Sequence, residues 1–251
     1  MTQRRFLGID LGWTSGESGL CCLEWVNEPA NCLKLVDLTR RLAIADILAW
    51  VDEQANGGDA VVAIDAPTII PNDTGMRLAE KLAHRHFGRY HAGCYPANRG
   101  RPFAERTAGL GTTLEQRDYR HAPTATAPQP SGRYQLEVFP HAAMIHLFQL
   151  PRILKYKKGR LSDRREQLTR LRQLILTHLP QLSPALAAPL LPPIPTTGRE
   201  LKAVEDQLDS LICAYIAAHW WCWGAEKNLT LGDVSSGYIV VPTPMGLPGD
   251  P

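Results

Sequence analysis

Three strand-like runs follow one another before any helical pattern appears, over residues 5 to 13, 18 to 27 and 31 to 38. Asn27-Glu-Pro-Ala-Asn31 has turn composition and joins the last two, so the three read as a meander. Arg40 to Gln54 then carries Ile44, Ile47, Leu48 and Val51, with Ala55 beyond, at helical spacing; Gly57-Gly58 stops it ahead of a strand from Ala60 to Asp65. Consecutive hairpins demand antiparallel pairing, whereas a strand-helix-strand passage brings the chain back parallel. A chain that does first one and then the other predicts an α/β fold, a mixed sheet with helices on its faces.

Beyond Ala66-Pro67 the pattern predicts a helix from about Gly75 to Phe87 and then an irregular insertion over about 91–132, rich in Gly, Pro, Thr and Arg. A strand around Tyr134 to Phe139 and a helix after Pro140 follow. A basic, partly helical segment comes next, then a proline-rich loop at about 180–197 that reads as a linker or surface crossing. A long helix from Gly198 to about Trp223 and a short strand Gly237-Tyr-Ile-Val-Val-Pro242 complete the chain. With 251 residues, 44% of them hydrophobic, one elaborated domain with a real core is expected. No run of about 18 apolar residues exists, and Met1-Thr-Gln-Arg-Arg leads straight into a strand, so neither a membrane span nor a leader is expected and the protein is assigned to the cytoplasm. Cys21, Cys22, Cys32, Cys94, Cys213 and Cys222 lack CxxC spacing, which fits free thiols in a reducing compartment and argues against zinc.

Acids stand in awkward places along this scaffold. Asp10 ends the apolar run from Arg5, Asp65 closes Val61-Val-Ala-Ile-Asp, Glu137 interrupts Gln135-Leu-Glu-Val-Phe, and Asp206 and Asp209 sit on the long helix. A carboxylate at the end of a buried strand desolvates poorly, so several of them point to a shared cation. On that helix Leu201, Val204, Leu208, Leu211 and Tyr215 form an apolar seam, while Lys202, Asp206, Asp209 and Cys213 fall on a stripe turned by about 130°. Like charges at i and i+3 repel unless something cationic lies between them, although a solvated acidic patch is the plainer reading of such a pair taken alone. Magnesium takes oxygen ligands and needs only a few carboxylates beside substrate phosphate; two such ions about 4 Å apart activate water and stabilise a leaving oxygen.

Charge adds a second theme. The net charge of +2 hides a block from Arg152 to Arg172 with nine basic residues against Asp163 and Glu166. Such a block reads either as a phosphate-holding surface or as a solvated helix face. Arg77, Arg99, Arg101, Lys155 and Lys157 are candidate phosphate contacts. His84, His86 and His91 near Cys94 resemble a soft-metal group only loosely, His141 is a candidate base or supporting histidine, and Trp220, Trp221 and Trp223 read as core aromatics.

Gly8-Ile-Asp10-Leu-Gly, Ile64-Asp65-Ala-Pro67, Arg77 with Glu80, Glu137-Val-Phe-Pro140, Glu205-Asp206-Gln-Leu-Asp209 and the closing Gly237-Tyr-Ile-Val-Val-Pro242 together resemble domain-of-unknown-function family 429, whose members are regarded as predicted nucleases of RNase H-like fold. The Asp-x-x-Asp helix is also similar to that of RuvC-type resolvases, where a late helix supplies acidic ligands beside an aspartate of the first strand. The resemblance implies a mixed five-stranded sheet flanked by helices, with a long insertion after the fourth strand. It implies an Mg²⁺ or Mn²⁺ site made by Asp10, Asp65, Asp206 and Asp209, with Glu137 joining them in the catalytic set. The expected partner is nucleic acid, held by Arg77, Lys155 and Lys157, and the expected activity is phosphodiester hydrolysis. Ser210 departs from the family pattern, which more often has alanine there. Two alternatives stand beside this reading. Gly8-Ile-Asp-Leu-Gly-Trp-Thr-Ser15 also resembles the phosphate-binding hairpin of sugar kinases and actin-like ATPases, and the same scaffold serves as a non-catalytic nucleic-acid-binding module.

Overall fold

The computed structural model describes residues 4–27, 31–127 and 131–244; part of the turn expected at Asn27–Asn31 and the first three residues lie outside them. Strands β1 (Arg5–Asp10), β2 (Ser18–Val26) and β3 (Cys32–Arg41) form the expected antiparallel meander. Helix α1 (Ile44–Ala55) then carries the chain to β4 (Ala60–Ile64), which lies parallel to β1 on its other side. After helices α2 (Leu78–Phe87) and α3 (Ala104–Glu115) come β5 (Arg120–His121) and β6 (Arg133–Glu137); both are parallel to this half of the sheet. The order is β3-β2-β1-β4-β6-β5, an antiparallel meander continued by parallel strands. It has six strands instead of the five expected, because the two-residue β5 adds itself to the edge.

The insertion is also more ordered than its composition predicts. Its helix α3 reads Ala-Glu-Arg-Thr-Ala-Gly-Leu-Gly-Thr-Thr-Leu-Glu, poor in helix propensity. Tertiary packing holds it: Leu110 and Leu114 are buried against the sheet, and Gly111 lets Thr68 approach so closely that a Cβ there would meet its side chain at 2.9 Å. Helices α4 (Pro140–Leu147), α5 (Leu161–His178) and α6 (Gly198–Trp223) follow, then a ribbon of β7 (Asn228–Asp233) and β8 (Gly237–Pro242), of which only β8 was expected. Tyr238 of that ribbon donates its hydroxyl to the Gln135 carbonyl at 3.1 Å, fastening it to β6.

Strand alternation sorts the core into two layers. Leu7, Ile9, Val62 and Ile64 face α1 and α3, whereas Phe6, Val61, Ala63 and Leu136 face α6. From Leu208 to Trp221 every residue of α6 is buried, so it has no solvated face there and the two-stripe reading of it holds only near its start. Two glycines set how closely it lies. A Cβ on Gly8 would come within 2.0 Å of the Ser210 carbonyl, and one on Gly19 within 1.9 Å of the Asp206 carbonyl, so helix and strands meet backbone to backbone. The proline-rich crossing is pinned, not free: the Leu33 amide donates to the Ala185 carbonyl and the Ala187 amide to the Leu33 carbonyl, and Arg165 and Arg172 of α5 donate to Pro195 and Pro192 carbonyls, each at 2.9 Å. Among the described residues, no helix is long and apolar enough to cross a membrane.

Candidate functional site

Register delivers the first two acids. In the parallel β1–β4 ladder Ile9 stands opposite Ile64, so Asp10 and Asp65 come next on neighbouring strands, and the Asp65 amide extends the ladder by donating to the Ile9 carbonyl at 2.8 Å. Pleat parity places both on the side of Gly8 and Ala63, the side α6 covers. Gly19, paired with Asp10 across the β1–β2 ladder, is the residue on which the Asp206 backbone rests. The helix therefore brings its acids down beside Asp10. Asp10, Asp65, Asp206 and the lysines 155, 157, 158 and 202 border one cleft of about 710 Å³.

The four aspartates divide into two pairs by partner. Asp209 is fully buried: Tyr156 donates to its Oδ1 at 2.6 Å and the Lys157 ammonium stands 2.7 Å from its Oδ2. Burial alone would raise this carboxyl, yet Lys157, helped by the Tyr156 hydroxyl, pulls it below the ordinary range. Asp206 is gripped by Lys202 one turn earlier and stands 3.5 Å from Arg40, which also pairs with Glu17 at 2.6 Å. Asp10 and Asp65 differ. Among the described residues no protein donor lies within hydrogen-bond or ion-pair distance of either carboxylate, although Asp10 is only 7% exposed. Burial raises the Asp10 carboxyl well above its usual range, and repulsion from Asp209, Asp65 and Asp206 adds to this against the pull of Lys157. Burial likewise pushes Asp65 up to about 7, with Asp209 and Glu137 adding repulsion and Lys157 opposing it.

Glu137 takes another path. In the β4–β6 ladder it stands opposite Ile64, one residue out of phase with Asp65, and its carboxylate turns to Arg77. Arg77 bonds Glu137 through Nη1 at 2.9 Å and Nη2 at 2.5 Å, Glu80 through Nε at 2.8 Å and Nη2 at 2.5 Å, and the Ile69 carbonyl at 2.7 Å. Every guanidinium donor direction is thereby engaged inside the protein, with the side chain 1% exposed, which leaves none for a substrate phosphate. The basic block divides too. Lys155, Lys157 and Lys158 line the cleft, whereas Arg164, Arg165 and Arg172 bond neighbouring carbonyls. Arg99 pairs with exposed Asp73 at 3.4 Å, and His84 donates through Nε2 to the Cys94 carbonyl, 3.0 Å away. Trp220 and Trp221 are core residues as expected, whereas Trp223 is only partly buried and donates to the Ser183 carbonyl at 2.8 Å.

A family model described as "Protein of unknown function (DUF429)" matches residues 8–227, a span that contains all five acids. The chain belongs to this family. No curated protein matches it. Among solved structures, a RuvC from Thermus thermophilus is similar at 13% identity over 86% of this chain and 97% of that one, with a TM-score of 0.36, too loose a likeness to bear on the site.

Within this DUF429 chain the carboxylates do not yet form a ligand shell. Among the described residues no three His, Cys, Asp or Glu side chains converge closely enough to hold an ion. The cause is legible in the pairing: Lys157 and Lys202 have drawn Asp209 and Asp206 to themselves. The donors that remain still suit a hard cation. Two buried carboxylates with no protein partner among the described residues, raised chiefly by that burial, match the one or two that Mg²⁺ takes beside waters and substrate phosphate. Reading residues alone missed Lys202, Tyr156 and Lys158 as members of the site. Lys202 was marked on the acidic stripe and Lys158 only as one charge of the basic block; Tyr156 lies in a loop without periodicity and carried no signal.

Proposed function

We propose that this protein is a divalent-metal-dependent nuclease. The observation that carries the reading is the pair Asp10 and Asp65, two carboxylates without protein partners among the described residues at the ends of adjacent parallel strands, in a cleft that also presents four lysines. Asp10 and Asp65 would hold Mg²⁺ or Mn²⁺, with Asp206 and Asp209 as the further carboxylates of the set. When bound, the ion supplies charge stabilisation at a phosphoryl oxygen and a water of lowered pKa. The chain's own residues do the rest. Lys155 and Lys158, exposed at the rim, attract and hold backbone phosphate, while Lys157 lines the cleft with its ammonium paired to Asp209. Tyr156 fixes Asp209 by its hydroxyl, while Arg77 and Glu80 hold Glu137 as a structural neighbour of the site.

Purified protein given Mn²⁺ or Mg²⁺ is expected to cleave at least one member of a panel of single-stranded, duplex and branched DNA and RNA. Asp10→Asn is expected to lower the rate by at least a hundredfold, the scale of lost charge stabilisation in a dry site. Equal cleavage by wild type, Asp10→Asn and Asp65→Asn would remove the site from these residues.

A further inference from the structure

The cleft has an aromatic wall that the carboxylates do not require. Trp13 follows β1, and its indole N–H donates to the Asp65 carbonyl at 3.2 Å, which fixes the ring beside the acid pair. Phe103 backs it at a centroid distance of 4.5 Å, and Tyr95 stands edge-on to it at 6.5 Å. Tyr95 is 66% exposed, more than any aromatic ring with a packing role alone needs. The Lys158 ammonium lies 3.3 Å from its hydroxyl, so positive charge sits directly beside the ring. Both rings and Lys155 border the same cleft as Asp10 and Asp65.

Pre-fixed aromatic rings beside lysines select a ligand that is at once planar and anionic. Bases offer a π-face for stacking only when they are out of a duplex. A cleft of about 710 Å³ admits a nucleotide, whereas the stacked interior of a double helix cannot present a base face to a recessed indole. We propose that this cleft takes an unpaired nucleotide, its base on Trp13 and Tyr95 and its phosphate on Lys155 and Lys158. The substrate is then a single strand, or a nucleotide turned out of a duplex, brought next to the carboxylates. This deepens the nuclease reading and rests on it for the identity of the anion.

The test is binding, with cleavage switched off by EDTA. Fluorescence anisotropy of a labelled oligothymidylate and of a blunt duplex of the same length is expected to favour the single strand by at least tenfold. Tyr95→Ala, at an exposed position where folding is not in question, is expected to weaken single-strand binding about fivefold or more while leaving the duplex unchanged, and Tyr95→Phe to restore it. Trp13→Phe should fall between wild type and Trp13→Ala. Equal affinity for both probes, no binding of either, or single-strand binding indifferent to Tyr95→Ala would overturn the proposal. The two readings fail separately: metal-dependent cleavage with Tyr95-indifferent binding sinks the aromatic ledge alone, and Tyr95-dependent binding with no cleavage of any substrate sinks the nuclease alone.

Discussion

Asp65 carries an electrostatic strain that its neighbours do not relieve. Its folded carboxyl titrates at about 7, above the ordinary aspartate value, chiefly because it is buried. The sign follows from proton counting: between the unfolded and folded pKa the native state binds the extra proton, so this group's contribution to stability falls as pH rises towards 7 and is fully unfavourable above it. Removing the charge reverses that. Asp65→Asn is expected to raise the melting temperature of metal-free protein at pH 8, by a stability increment on the order of 2 kcal/mol, and to have little effect at pH 4. Mg²⁺ or Mn²⁺ should raise the melting temperature of wild type and much less that of the variant, since an ion bound to the native state alone stabilises it by mass action. Calorimetric scans at the two pH values, with and without metal, check both. Asp10 and Asp65 were legible in the sequence because an acid at the end of an apolar run is conspicuous. Lys202 could be placed beside Asp206 by helical spacing, but the pairing of Lys157 with Asp209 could not be read, since Lys157 comes from a loop whose placement depends on the whole fold.

At the scale of elements, α6 and the β1–β2 hairpin are one device. The apolar run and the acids of α6 could be read from helical spacing, and its burial predicted in part; its depth could not, because that is set by Gly8 and Gly19, glycines that look like ordinary turn or strand residues in sequence. Gly8→Ala forces a Cβ onto the Ser210 carbonyl and the Ala214 amide, both backbone atoms that cannot swing away. It is expected to destabilise by about 3 kcal/mol or more and to lower activity at temperatures where the protein remains folded. Gly109→Ala makes the contrast: it lies exposed in the middle of α3 with open space around its would-be Cβ, and is expected to stabilise by about 0.5–1 kcal/mol. Urea melts of the two variants give both numbers. The insertion shows the reverse limit, for α3 exists by packing and its Gly- and Thr-rich sequence argues against it.

For the molecule as a whole, the Arg77 cluster joins what the chain order keeps apart. Glu137 at the end of β6, Glu80 on α2, the Ile69 carbonyl, the Thr68 amide and the Ala97 amide all meet through one guanidinium and its two carboxylates. This buried knot ties the insertion to the sheet beside the cleft. Breaking one partner strands the others: Arg77→Met is expected to destabilise by about 3–5 kcal/mol, whereas the double change with Glu137→Gln should cost less than the sum of its parts, because fewer charges are left unpaired. A double-mutant cycle by denaturant unfolding measures that coupling. The meander, the parallel return and the acid-bearing strand ends were all readable from spacing and turn composition. The sixth strand, β7 with its pairing to β8, and the turning away of Glu137 were not; each follows from which strand lies next to which.

The bare contact of α6 on Gly8 and Gly19 has one more consequence. With no side chains between helix and strands at those two points, the gap is set by atoms that every sequence shares, and the span from Asp10 to the helix acids is gauged by backbone thickness. Drift in the surrounding apolar residues can reshape the core without resetting that gauge, so the carboxylate end of this fold can outlast wide divergence in everything packed around it.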